Sequence, residues 1–163
     1  MGNLPLEVCE TINGSWGFNL QDRKHKSIKT LIHYLIKAAG YDSNFLLNVG
    51  PMPNGKIQKE HIDSLNEIGK WIKLNGNTIY GTTGGEITPT NEIAITKKKN
   101  IEYIHLMGNK IKYVIKGYSP AIKSLKYYHS RKNVKYKIEN NNLIINVDTN
   151  ELNEIDTILI LES

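Results

Sequence analysis

A chain of 163 residues, 39% apolar and 23% charged, suffices for one ordinary domain or for part of one joined to a smaller second, and lies far from the disordered regime. The formal charge of +5 is shared between nine Lys/Arg against seven Asp/Glu in residues 1–84 and twelve against nine in 85–163, and the lysine run Lys97–Lys99 has no interleaved aromatics, which argues for a solvated surface and against nucleic acid. A single cysteine, Cys9, excludes an intrachain disulfide and a cysteine-built zinc cluster, and no stretch of about 18 or more apolar residues is present to span a membrane.

The first half alternates strand and helix. Leu4 to Ile12 reads as a short extended segment, followed by a polar loop from Asn13 to Lys26. Ser27 is placed to cap a helix whose buried stripe is Ile28, Leu31, Ile32, Leu35, Ile36 and Ala39, with Gly40 placed to end it. Asn44 to Val49 is a nearly continuous apolar run, as in a parallel strand covered on both faces. The turn residues Gly50 to Gly55 lead to a second amphipathic helix, Gln58 to Leu74, which presents Ile62, Leu65, Ile68, Trp71 and Ile72 and stops at Asn75-Gly76. Two such units predict a parallel sheet with helical crossovers, too small to close a barrel or to be stable alone.

At Thr82-Thr83-Gly84-Gly85 the period changes to two. Candidate strands are Glu92–Thr96, Ile101–Met107, Lys110–Lys116, Ile122–Tyr127, Val134–Glu139, Leu143–Val147 and Thr157–Leu161, with hairpin turns expected at Gly108-Asn109 and Asn140-Asn141-Asn142. The fold class is therefore α/β plus all-β: a strand–helix region over residues 1–84 and an antiparallel β-sandwich over 85–163.

Parallel strand–helix units carry their chemistry in the loops after the strands, here Glu10–Lys26 and Gly50–Lys56. The first loop combines Trp16 with Asn13, Asn19, Gln21 and Asp22, the mixture of aromatic face and planar polar groups that sugar rings favour. Trp16 between glycines suits a packing anchor as well as a ligand platform. Glu7 and Glu10 alternate on their strand, so at most one faces a barrel mouth, and the pattern leaves open which. The histidines, at positions 25, 33, 61, 105 and 129, lack metal-ligand spacing, and His33 and His61 are expected at helix surfaces or boundaries. Neither a phosphate-loop ending nor Gly-x-Ser-x-Gly occurs.

Two stretches form a pattern: Glu7-Val8-Cys9-Glu10-Thr11-Ile12-Asn13 with Ser15-Trp16-Gly17-Phe18-Asn19, and Asn44-Phe45-Leu46-Leu47-Asn48-Val49-Gly50-Pro51 with Asn54-Gly55-Lys56-Ile57. Together with Ile68-Gly69-Lys70-Trp71 and Gly76-Asn77-Thr78-Ile79-Tyr80-Gly81-Thr82, the chain resembles the closing barrel segments of glycoside hydrolase family 29, the α-L-fucosidases. The resemblance implies the last two βα units of a (β/α) TIM-like barrel followed by that family's β-sandwich. It implies hydrolysis of terminal α-L-fucosyl linkages with retention, on a fucosylated glycan or oligosaccharide and without metal or organic cofactor. Such chemistry uses two carboxyl groups about 5–5.5 Å apart. By the same resemblance the nucleophilic aspartate lies ahead of the matching segment, so the chain alone is expected to be inactive. Glu10 is the in-chain candidate for a catalytic carboxylate and Trp16 the candidate sugar contact, while Phe18 stands where a tyrosine is usual. The alternative, suggested by Met1 opening directly on the Leu4-Pro5-Leu6-Glu7 segment, is a non-catalytic gene remnant or an accessory carbohydrate-binding module.

Overall fold

The computed structural model describes residues 5–163; Met1–Leu4, including the first residue of the expected strand, lie outside the described residues. The strand–helix half comprises β1 (Leu6–Thr11), α1 (Ile28–Gly40), β2 (Ser43–Asn48) and α2 (Lys59–Asn75). β1 and β2 pair in parallel, from Leu6 opposite Ser43 to Thr11 opposite Asn48, with α1 as the crossover. Ser27 caps α1 as its position predicts, its hydroxyl accepting the Thr30 N–H at 3.1 Å. The helix does not stop because of Gly40, which is its last helical residue; the left-handed backbone falls two residues on, at Asp42 with φ 56°. Gly40 is small for packing instead. A Cβ there would lie 2.8 Å from Pro89 Cγ, and one on Gly84 would lie 2.6 Å from the Gly40 carbonyl oxygen.

The rest of the chain forms β3 (Thr83–Gly84), β4 (Ile93–Lys98), β5 (Ile101–Leu106), β6 (Lys112–Ile115), β7 (Ser124–Tyr127), β8 (Lys135–Glu139), β9 (Asn142–Asn146) and β10 (Thr157–Glu162). They make a five-stranded sheet, β3-β4-β5-β10-β7, and a three-stranded sheet, β6-β9-β8, both antiparallel. The sandwich core lies between them and includes Ile95, Ile104, Leu106, Leu143, Ile145 and Leu159. The turn at Asn140-Asn141 holds both residues at positive φ, 49° and 60°, the backbone a two-residue hairpin needs. Gly108-Asn109 departs from expectation: β5 and β6 lie in different sheets, so this glycine marks a crossing between layers and no hairpin.

The central strands also depart from simple alternation. β4, β5 and β10 are buried on both faces because α1 and α2 cover the back of the five-stranded sheet. Ile12, Ile32, Ile36 and Trp71 share one core with Ala94, Tyr103, Ile158 and Ile160. Polar ties cross the same junction: His33 to the Ile155 carbonyl at 2.7 Å, Thr96 Oγ1 to the Thr78 carbonyl at 2.6 Å, and His129 to Asn75 Oδ1 at 2.8 Å. Within the sandwich half itself, His105 Nδ1 meets Asp156 Oδ2 at 2.7 Å, both side chains fully buried. No helix among the described residues is long and apolar enough to cross a membrane.

Candidate functional site

The C-terminal ends of β1 and β2 point the same way, so the loops that follow them meet at one end of the parallel pair. The base of the first loop is organised by Lys26. Its ammonium donates to the Thr11 carbonyl at 2.7 Å and the Asn13 carbonyl at 2.8 Å, and lies 3.3 Å from Glu10 Oε2. Its backbone N–H donates to the Ile12 carbonyl at 2.7 Å. These bonds satisfy carbonyls that leave the sheet at the strand end, and they close the loop on itself.

Glu10 and Glu7 separate as strand geometry requires. Val8 and Glu10 line a groove of about 510 Å³ with Tyr34, Lys37, Ala38 and Tyr41, so Glu10 lies on the side of the strand that meets α1. Glu7 lies on the opposite side beside Cys9, whose thiol is 3.7 Å from Glu7 Oε1. Glu10 is thus a partly exposed carboxylate held by Lys26 at the flank of the strand end.

Trp16 is 58% exposed, yet its backbone is fixed. Asn48, the last residue of β2, donates its amide to the Trp16 carbonyl at 2.7 Å. Gly17 packs directly on Gly50, where an added Cβ would come within 2.5 Å of the Gly17 carbonyl carbon. The backbone is thus anchored while the ring stands largely in solvent. On the other side of the loop, Asp22 Oδ2 accepts from Ser15 Oγ and the Gly14 N–H, each at 2.8 Å. The Ser15 hydroxyl, with the N–H groups of Gly14 and Lys24, holds the Asp22 carboxyl below its ordinary range against a partial desolvation that raises it. Asn19 in turn donates to Ser15 Oγ at 3.3 Å.

His61, expected at a helix surface, is instead 1% exposed in the first turn of α2. Its ring meets His25 edge to face, with centroids 5.4 Å apart. Burial holds its pKa below the ordinary value, and His25 adds to the effect. The sequence signal for this pair is weak, since neither residue stands in a motif. Lys26 was equally hidden, being the last residue before a helix cap. Among the described residues, no cluster of three or more His, Cys, Asp or Glu side chains has the geometry to hold a metal ion.

Chemically, the end of the strand pair offers an open indole face and carboxylate and amide groups on fixed backbone. These suit stacking on the C–H face of a sugar while accepting and donating to its hydroxyls. The two carboxylates of the first loop, Glu10 and Asp22, are each committed to a partner within the chain.

Residues 2–77 match the family described as Alpha-L-fucosidase. The chain is 35% identical over 79 residues to the α-L-fucosidase of Dictyostelium discoideum, across 47% of this chain and 17% of that protein. It is 31% identical over 106 residues to the tissue α-L-fucosidase of Bos taurus, across 62% of this chain and 22% of that one. α-L-Fucosidase isoenzyme 1 from Paenibacillus thiaminolyticus superposes with a TM-score of 0.84 at 29% identity, over 98% of this chain and 40% of its own. The Thermotoga maritima α-fucosidase solved in complex with fucose shares the fold with a TM-score of 0.88 at 24% identity, again over 40% of its length. The chain therefore spans less than half the length of each of these four proteins. Over residues 2–77 the chain is similar in sequence to the α-L-fucosidases, and through both halves it shares the fold of part of such enzymes, consistent with a counterpart of their C-terminal portion.

Proposed function

We propose that this chain is the fucose-binding flank of a retaining α-L-fucosidase: the last two βα units of a (β/α) barrel over residues 1–84 and a supporting β-sandwich over 85–163. The observation that carries the reading is Trp16, solvent-facing on a loop that Asn48 and Gly50 pin to the ends of two parallel strands, inside the segment that matches the family. The parent reaction is hydrolysis of terminal α-L-fucosyl linkages through a covalent glycosyl-enzyme. That the Thermotoga enzyme was solved with fucose supports a fucosylated substrate.

Retaining chemistry needs one carboxylate free to attack and a second to pass a proton. With Asp22 engaged by Ser15 and Gly14, and Glu10 by Lys26, neither is free to attack an anomeric carbon as it stands. Glu10, the in-chain acid/base candidate, faces α1 and is held by Lys26, so this reading gives it no contact with a sugar on Trp16. The chain by itself accordingly binds sugar and does not cleave it. Saturation-transfer NMR with L-fucose tests the binding. Signal from the sugar ring that disappears in Trp16→Ala supports the reading, and equal signal in parent and variant refutes Trp16 as the platform. Glu10→Gln should leave that signal in place, since Glu10 sits away from the ring.

A further inference from the structure

The loop that carries Trp16 is held to α2 by a contact unlike its other anchors. His25, one residue before the lysine that closes the loop, abuts His61 edge to face at 5.4 Å with an interplanar angle of 79°. His61 is buried, and neither of its ring nitrogens finds a hydrogen-bond partner among the described residues; the same holds for His25 Nε2. A neutral imidazole tolerates such a place as a flat aromatic packing unit. An imidazolium there would hold a charge with no acceptor, packed edge to face on a second ring.

We propose that the His25–His61 stack is an acid-released latch: neutral rings dock the Trp16 loop on the first turn of α2, and protonation of His61 frees it. The titratable and charged groups that act on His61 are His25 and Asp22 from the loop and Glu60 from its own helix. Burial and His25 oppose its charge, whereas Asp22 and Glu60 favour it, and burial dominates. Asp22 is already committed to Ser15 and Gly14, so it offers the imidazolium little. Release does not unfold the loop. Lys26 still closes its base and Asn48 still holds the Trp16 carbonyl, so the expected change is a swing of the segment between these two anchors.

The sign follows from linkage. A histidine whose folded pKa lies below its ordinary value leaves docking intact at neutral pH and weakens it as pH falls from about 6.5 through the folded value. Each unit of depression makes opening about tenfold easier once pH is below both values. The inference rests on the loop geometry and not on the fucosidase reading, and its readout involves no sugar.

The test is ¹H–¹⁵N NMR of the full 163-residue chain from neutral pH downward. The expected result is that the Gly14 and Gly17 amides and the His61 ring follow one titration curve centred below the ordinary histidine value, with the amide transition absent in His61→Phe. Because that variant could fail to fold, His61→Gln serves as a second non-titrating replacement. The latch is overturned if His61 titrates at or above its ordinary value, if the loop amides stay still while His61 protonates, or if their transition persists in either variant.

Discussion

The two halves of this molecule solve the same problem to different degrees. The five-stranded sheet is covered on both faces, by β6-β9-β8 in front and by α1 and α2 behind, so Ile95, Ile104, Leu106, Leu159 and Leu161 have essentially no exposure. The parallel pair β1-β2 has helices on one side only. Leu46 on the uncovered side stays 43% exposed, Leu6 and Val8 on the unflanked strand β1 stay 47% and 38% exposed, and a largely apolar groove of about 700 Å³ opens among Leu31, Phe45, Leu47, Ile68 and Ile79. A sheet that is finished on both faces can act as a foundation, and one open at its edges cannot stand without it. The candidate site lies on the second and borrows its rigidity from the first.

The sharpest way to break that contrast is to divide the chain. Residues 1–84 alone lose Tyr103, Ile158 and Ile160 from the core around Ile36 and Trp71. They should unfold or associate, and a sharp single thermal transition from a monomer of that half would contradict the comparison. Next in size is the buried His105–Asp156 pair within the sandwich half. Asp156→Ala strands His105 without its partner, and losses of about 3–5 kcal/mol are usual for removing one member of such a pair. Leu159→Ala in the finished sheet should cost about 2–5 kcal/mol by denaturant titration. Leu46→Ala on the open sheet should cost about 0.5 kcal/mol or less. Ser27→Ala removes one cap bond at the start of α1 and should cost about 1 kcal/mol.

The smallest expected effect is a dependence on pH. Burial, first among its causes, holds the Glu102 carboxyl above its ordinary range while Lys97 works against it, and the Tyr118 hydroxyl donates to Glu102. The folded chain keeps a proton that the unfolded chain releases, so stability falls as pH rises from the ordinary carboxylate value through the raised one. Glu102→Gln retains an acceptor for Tyr118 and removes that loss. The Tm advantage of the variant over the parent should therefore grow with pH above about 4.

Much of the fold was legible from periodicity. The stripe from Ile28 to Ala39 and the Ser27 cap announced α1, and Asn140-Asn141 announced its hairpin because local backbone chemistry decides both. What depended on distant partners was not legible. Continuous burial of β4, β5 and β10 exists because α1 lies behind them, and the layer crossing at Gly108 looks locally like any turn. In the site, the exposed Trp16 stood out by residue type, and alternation separated Glu7 from Glu10 without saying which faced α1. Lys26 and His61 stayed hidden because their roles come from loop closure and helix docking, which leave no spacing rule.

The central claim is the proposal that Trp16 is a sugar platform while Glu10 and Asp22 are both engaged within the chain and do not attack. The most direct test is a chromogenic aryl α-L-fucoside offered to the purified 163-residue chain, with parent, Glu10→Gln and Asp22→Asn assayed together. The account predicts no release of the aryl group above the enzyme-free rate in any of the three. Turnover by the parent that survives both substitutions would show that a working nucleophile lies elsewhere in this chain.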